Sequence, residues 1–213
     1  GFLAEGFTSV KIVACGTSYH AAMVGKYIFE EIAKIPTTAE LASEYRYTRG
    51  ANDRPLVILI SQSGETADTL GAAREAKRRG CKTLGICNVI GSSLSREVDK
   101  TTYTRAGIEI GVAATKTFVA QLIVLYLLAL ELGLNRGALG YEEADRIKDD
   151  LRSLPRSVLA VLNRSEDIQA LAVKYGLVDD MFFLGRHANY PVAMEGALKL
   201  KEISYIHAEA YAA

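Results

Sequence analysis

The sequence is 213 residues long with 49% hydrophobic and 23% charged side chains, a balance that buries a sizeable core and excludes intrinsic disorder. Lysine plus arginine equals aspartate plus glutamate at 25 each, so no net field recruits a polyanion, and nucleic acid is not an expected partner. Cys15, Cys81 and Cys87 form no C-x-x-C pair, which predicts reduced thiols in a cytoplasmic protein rather than a disulfide framework or a zinc site.

Gly1–Thr8 has neither the basic segment nor the apolar stretch of a secretory signal and reads as the start of a fragment. Val10–Cys15 is a short apolar run that stops at Gly16, and a helical pattern carrying Met23, Tyr27, Ile28 and Ile32 follows up to Pro36. Ala39–Ala42 is a candidate short strand. Leu56–Ile60 is a second aliphatic run, ended by Ser61-Gln62-Ser63-Gly64 and followed by a predicted helix from about Thr66 to Arg79. Thr83–Cys87 reads as a further strand, Ser93–Val98 as a short helix and Thr101–Arg105 as another strand. Uninterrupted aliphatic strands alternating with helices predict a three-layer αβα sandwich around a parallel sheet, closed by a helix over Ala113–Leu132. The apolar stretch Thr117–Leu130 is read as a buried helix, because it is shorter than the ~20 residues that cross a bilayer; no membrane partner is expected.

Tyr141–Tyr175 is helical and charged, with Pro155 predicted as a break or a first turn. Met181–Leu184 then returns to strand, ends at Gly185 and leads into Ala193-Met194-Glu195-Gly196. The earlier stretch, Val13-Ala14-Cys15-Gly16 followed by Ala22-Met23-Val24-Gly25, has the same order of strand, glycine, polar turn and Ala-Met-x-Gly. This match predicts an internal repeat. The expected organisation is a first unit over 1–140, a helical connection over 141–178 and the start of a second unit over 179–213. One strand and one helix of that second unit are expected, with the chain stopping before it is complete.

Ligands in parallel α/β sheets bind beyond the carboxyl ends of the strands. Two turns there are unusual: Cys15-Gly16-Thr17-Ser18 and Ser61-Gln62-Ser63-Gly64-Glu65-Thr66. They offer hydroxyls, a carboxamide and backbone N–H groups at two helix N-termini with no lysine or arginine, which suits a phosphate monoester. The alternative is that these residues only cap helices. No G-x-G-x-x-G follows the first strand, and Lys116-Thr117 lacks the preceding glycine of a Walker loop, so no nucleotide cofactor is expected. His20, His187 and His207 are scattered, and no metal is expected. Glu195, Lys199, Lys201 and Glu202 share a helix; by spacing alone they read as a solvated ladder of ion pairs.

Cys15-Gly16-Thr17-Ser18-Tyr19-His20, Ser61-Gln62-Ser63-Gly64-Glu65-Thr66, Glu109-Ile110-Gly111-Val112-Ala113 and Gly196-Ala197-Leu198-Lys199-Leu200-Lys201-Glu202 resemble the sugar-isomerase (SIS) region of the glucosamine-6-phosphate synthase family. The resemblance spans nearly the whole chain. It implies two SIS subdomains related by a repeat, a homodimer, and conversion of fructose 6-phosphate to glucosamine 6-phosphate with glutamine-derived ammonia. Ser18, Ser61, Gln62, Ser63 and Thr66 would hold the phosphate, and Thr17 and the backbone at Val112 would contact the sugar. Glu202 would shuttle a proton between C1 and C2, with Lys199 beside the developing negative oxygen. The glutaminase domain of such proteins, and their ring-opening histidine and imine-forming lysine, have no counterpart in these 213 residues. Ala114 stands where many members carry serine. A non-catalytic phosphosugar-binding regulatory module is the competing expectation, since one fold serves both.

Overall fold

A computed structural model describes residues 2–4, 6–48 and 54–213. Strands β1 (Val10–Ala14), β2 (Thr37–Leu41), β3 (Leu56–Ser61), β4 (Lys82–Cys87) and β5 (Lys100–Tyr103) form one parallel sheet in the order β2-β1-β3-β4-β5. β3 is buried along its whole length, as a central strand covered on both faces must be. Its side chains alternate between two cores. Ile58 and Ile60 pack with Ile12 and Ile86 under α1 (Gly16–Ile32) and α5 (Lys116–Asn135). Val57 and Leu59 pack on the other face with Tyr45 and Leu94, under α2 (Ala42–Tyr45), α3 (Ala67–Arg78) and α4 (Ser93–Glu97). Ala72, Ala73 and Ala76 give α3 a small-residue face toward the sheet. The expected αβα sandwich is the observed fold, and the candidate strand near Ala39 is the edge strand β2.

The chain runs from β1 outward to β2, then crosses back to β3 on the other side of β1. The strand order therefore reverses between β1 and β3, and the crevice at their carboxyl ends is where such sheets bind ligands. Both hydroxyl-rich turns follow these two strands.

Four expectations are corrected. The closing helix is α5, Lys116–Asn135, displaced from the expected Ala113–Leu132. Residues 113–115 stay in the preceding loop because the Glu109 carboxylate accepts the Thr115 N–H at 2.8 Å and the Thr115 hydroxyl at 3.1 Å, and also pairs with the Thr117 hydroxyl. At 20 residues and mean hydropathy 2.0, α5 is long and apolar enough to cross a membrane, so the length argument does not hold; its packing against α1 and the sheet makes it a core helix. Pro155 does not interrupt α6 (Tyr141–Leu162); the break falls at Asn163 and Arg164, before α7 (Ser165–Tyr175). Finally, the second unit holds two strands. β6 (Asp180–Gly185) and β7 (His207–Ala212) pair in parallel, joined by α8 (Asn189–Ser204). The sequence His-Ala-Glu-Ala-Tyr-Ala is poor in β-branched residues, which hid β7 from propensity arguments. Tyr205, in the left-handed region at φ 63, ends α8 and lets the chain turn into it.

β6-α8-β7 thus reproduces β1-α1-β2 as a strand, a helix and a parallel strand. The repeat glycines explain the sequence match. A Cβ on Gly25 would lie 2.9 Å from Ile12 of its own strand, and one on Gly196 would lie 3.0 Å from Phe183 of its own strand. Each helix approaches its preceding strand at its glycine. α8 also packs on α1, where His187 lies against the Tyr27 ring with centroids 4.2 Å apart.

Candidate functional site

The N-termini of α1, α3 and α5 meet at a cavity of about 220 Å³ at the carboxyl ends of β1 and β3. Each terminus leaves backbone N–H groups without helical partners and carries partial positive charge. The cavity is lined by Thr17, Ser18, Ser61, Gln62, Ser63, Thr66 and Val112, the whole of the expected binding set, together with Cys15, Ile60, Thr69, Ala114, Thr117 and Gln121. No lining residue is an acid, a lysine or an arginine, so an anion here would be met by hydroxyls, amides and helix dipoles alone.

Simple capping does not account for the turns. The N-cap residues of α1 and α3, Cys15 and Thr66, make no side-chain cap bond. The Thr66 hydroxyl instead lies 3.0 Å from Ser61 Oγ, which also accepts the Gly64 N–H at 3.0 Å. Gly64 sits at φ +69, and a Cβ there would lie 2.2 Å from Ser92 Oγ, so only glycine lets the turn close. Outside the turn, Glu65 accepts the Ser93 N–H at 2.8 Å, and that hydrogen bond holds its carboxyl below the usual range. On the opposite loop, burial raises the Glu109 carboxyl, but hydrogen bonds from Thr117 and Thr115 outweigh it and the net shift is downward. Glu109 therefore pins the loop that carries the exposed Val112 beside the cavity.

Lys199 and Glu202 are not in the cavity wall, yet they are joined to it. Lys199 Nζ donates to Glu202 Oε2 at 2.5 Å and to Thr17 Oγ1 at 3.0 Å, and Thr17 belongs to the wall. The solvated-ladder expectation for this helix is overturned at Glu195, which is only 6% exposed. Its Oε1 accepts the Thr17 hydroxyl at 2.9 Å and its Oε2 pairs with His20 Nδ1 at 2.7 Å.

Sequence reasoning missed Gln121, Thr69, Glu195 and His20 as parts of this region. Gln121 carried a signal, as the one carboxamide within the apolar run Thr117–Leu130. Thr69 lies one turn beyond Thr66 on the same helix face. Thr69 Oγ1 and Gln121 Oε1 are buried with no hydrogen-bond partner among the described residues, although both residues line the cavity. Buried polar atoms are normally paired, so both are free to bond a water or another polar group inside the cavity.

The fold and the site define a parallel α/β sandwich with an uncharged, hydroxyl-lined cavity at its topological switch point. The chain belongs to the SIS domain family, whose model matches residues 8–131. It is 51% identical over 210 residues to a glutamine–fructose-6-phosphate aminotransferase [isomerizing] from Clostridium tetani, covering 98% of this chain and 34% of that protein. The protein of the same name from Methanosarcina acetivorans is 52% identical over 205 residues, 96% of this chain and 33% of that one. The chain thus spans about a third of the length of these curated relatives. Among solved structures, the C-terminal domain of glucosamine-fructose-6-phosphate aminotransferase from Francisella tularensis superposes with a TM-score of 0.96 at 44% identity, covering 99% of this chain and 60% of that one.

Proposed function

We propose that this chain is the isomerase portion of a glutamine–fructose-6-phosphate aminotransferase, binding fructose 6-phosphate and taking part in its conversion to glucosamine 6-phosphate. One observation carries the reading: residues from three separated stretches line a single uncharged cavity, and its Thr17 hydroxyl is bonded to the Lys199 ammonium that pairs with Glu202. Ser18, Ser61, Gln62, Ser63 and Thr66 hold the phosphate, and Thr17 and the Val112 backbone contact the sugar. The Glu202 carboxylate relays a proton between the adjacent carbons C1 and C2 of the open chain, as a carboxylate within reach of both can. The Lys199 ammonium lowers the energy of the oxygen anion formed between the two transfers.

In this reading residues 1–140 are the first SIS subdomain, 141–178 the helical connection and 179–213 the beginning of the second. The relatives' names and their greater length support a further part of the protein that works with glutamine, taken here as a glutaminase domain supplying ammonia; in this reading the protein is also a cytoplasmic homodimer.

Titration with fructose 6-phosphate and glucose 6-phosphate, paired with exchange of the C1 proton into solvent, tests the proposal. Ser63→Ala and Thr66→Ala should each weaken binding, and Glu202→Gln should bind but not exchange. Binding by the unsubstituted protein without exchange would reduce it to a sugar-phosphate-binding fragment, and no binding would overturn the proposal.

A further inference from the structure

We infer that Glu195, backed by His20, is a positioning residue that locks the Lys199 ammonium and the Thr17 hydroxyl between the cavity and Glu202. The inference rests on the isomerase reading of Lys199 and Glu202 and extends it to two residues outside the cavity wall. Both oxygens of Glu195 are engaged: Oε1 accepts from Thr17 Oγ1 at 2.9 Å and lies 3.4 Å from Lys199 Nζ, and Oε2 lies 2.7 Å from His20 Nδ1. Facing a carboxylate, Nδ1 is the nitrogen that carries the proton.

The donors then run in one order. Lys199 donates to Thr17, Thr17 donates to Glu195, and His20 donates to Glu195 from the other side. A buried carboxylate is costly to stability unless it is fully hydrogen-bonded, and it earns its place through geometry. Lysine is a mobile point charge on a long stem. Held by Glu202 alone, the ammonium would lose its partner whenever that carboxylate took up a proton. Thr17 and Glu195 hold it independently of Glu202. His20 and Thr17 lie on α1 and Glu195 and Lys199 on α8, so the contact also sets the register between the two strand–helix–strand units.

The test uses the longest natural polypeptide containing these residues and measures fructose 6-phosphate affinity and C1-proton exchange separately. In Glu195→Gln, exchange should fall at least about tenfold while the dissociation constant changes less than about threefold, because the serine turns are untouched. His20→Asn places an amide N–H near the Nδ1 position and should keep most of the exchange; His20→Phe keeps the bulk, lacks the donor and should lose it. Exchange in the unsubstituted protein that survives in Glu195→Gln overturns the inference alone. No exchange in the unsubstituted protein overturns the isomerase reading and this inference with it. If Glu195→Gln does not fold, the histidine pair decides: His20→Phe as active as His20→Asn shows a packing role and overturns the inference.

Discussion

Gln121 Nε2 donates to Ser18 Oγ at 3.0 Å, joining the second turn of α5 to the first turn of α1 across 103 positions of sequence. Because Ser18 Oγ accepts from the amide, its own proton is left to donate to whatever enters the cavity. Gln121→Leu removes that constraint. Phosphate-ester affinity should fall roughly five- to tenfold, the effect of one mis-set hydrogen bond of about 1 kcal/mol, as measured by calorimetric titration. Unchanged affinity would show that Ser18 needs no such partner.

Gly64 closes the second turn at φ +69 against Ser92. Gly64→Ala places a methyl on the Ser92 hydroxyl and strains the backbone, so the Ser61–Thr66 pair should open and sugar-phosphate binding should drop below detection. The overall fold should persist, because the sheet and both cores lie away from the turn. Circular dichroism alongside titration separates the two effects.

α1 and α5 come into close contact at Gly133, where a Cβ would lie 2.9 Å from the Ile32 carbonyl oxygen. Backbone cannot rotate away, so Gly133→Ala should cost about 1–3 kcal/mol in denaturant unfolding, in the range of core overpacking. Gly25→Ala should cost less although its nearest atom is also 2.9 Å away, because that atom is the end of the Ile12 side chain. Equal losses at the two sites would contradict the distinction between backbone and side-chain neighbours.

Glu75 on α3 pairs with Arg78 and Arg79, each at 2.7 Å. The Arg78 hydrogen bond, assisted by Arg79 and opposed by burial, lowers its carboxyl from 4.5 to about 2. A lowered folded-state value means stabilisation that is fully present above 4.5 and is lost as pH falls from there through about 2. Arg78 is largely exposed, so the contribution is at most about 1 kcal/mol. Glu75→Gln should reduce stability by that amount at neutral pH and make unfolding curves converge with the parent protein at the acid end of the window. A constant difference across the window would contradict the linkage.

Much of the architecture could be read from residue order. Leu56–Ile60 is uniformly aliphatic and the runs Val10–Cys15 and Thr83–Cys87 are largely apolar, which argues against a one-sided sheet, and the turns after the first two strands lie where parallel sheets bind ligands. All seven expected binding residues meet at one cavity. The repeat glycines Gly25 and Gly196 were visible as a pattern, and their close approach to Ile12 and Phe183 supplies the reason. β7 escaped because it is a strand by partnership: β6 supplies its hydrogen bonds, and its own composition argues weakly for extension.

Local patterning thus settled which segments are strands or helices and which faces are covered, since periodicity and turn chemistry act over a few residues. It left open which polar groups meet beneath those faces. Ser18 with Gln121, and Glu195 with Thr17 and His20, are brought within hydrogen-bonding distance only when α5 and α8 pack on α1. Their spacing in the chain contains no trace of the contact, because a buried hydrogen bond depends on the docking of whole elements, and that docking is set by the summed fit of the apolar surfaces around it.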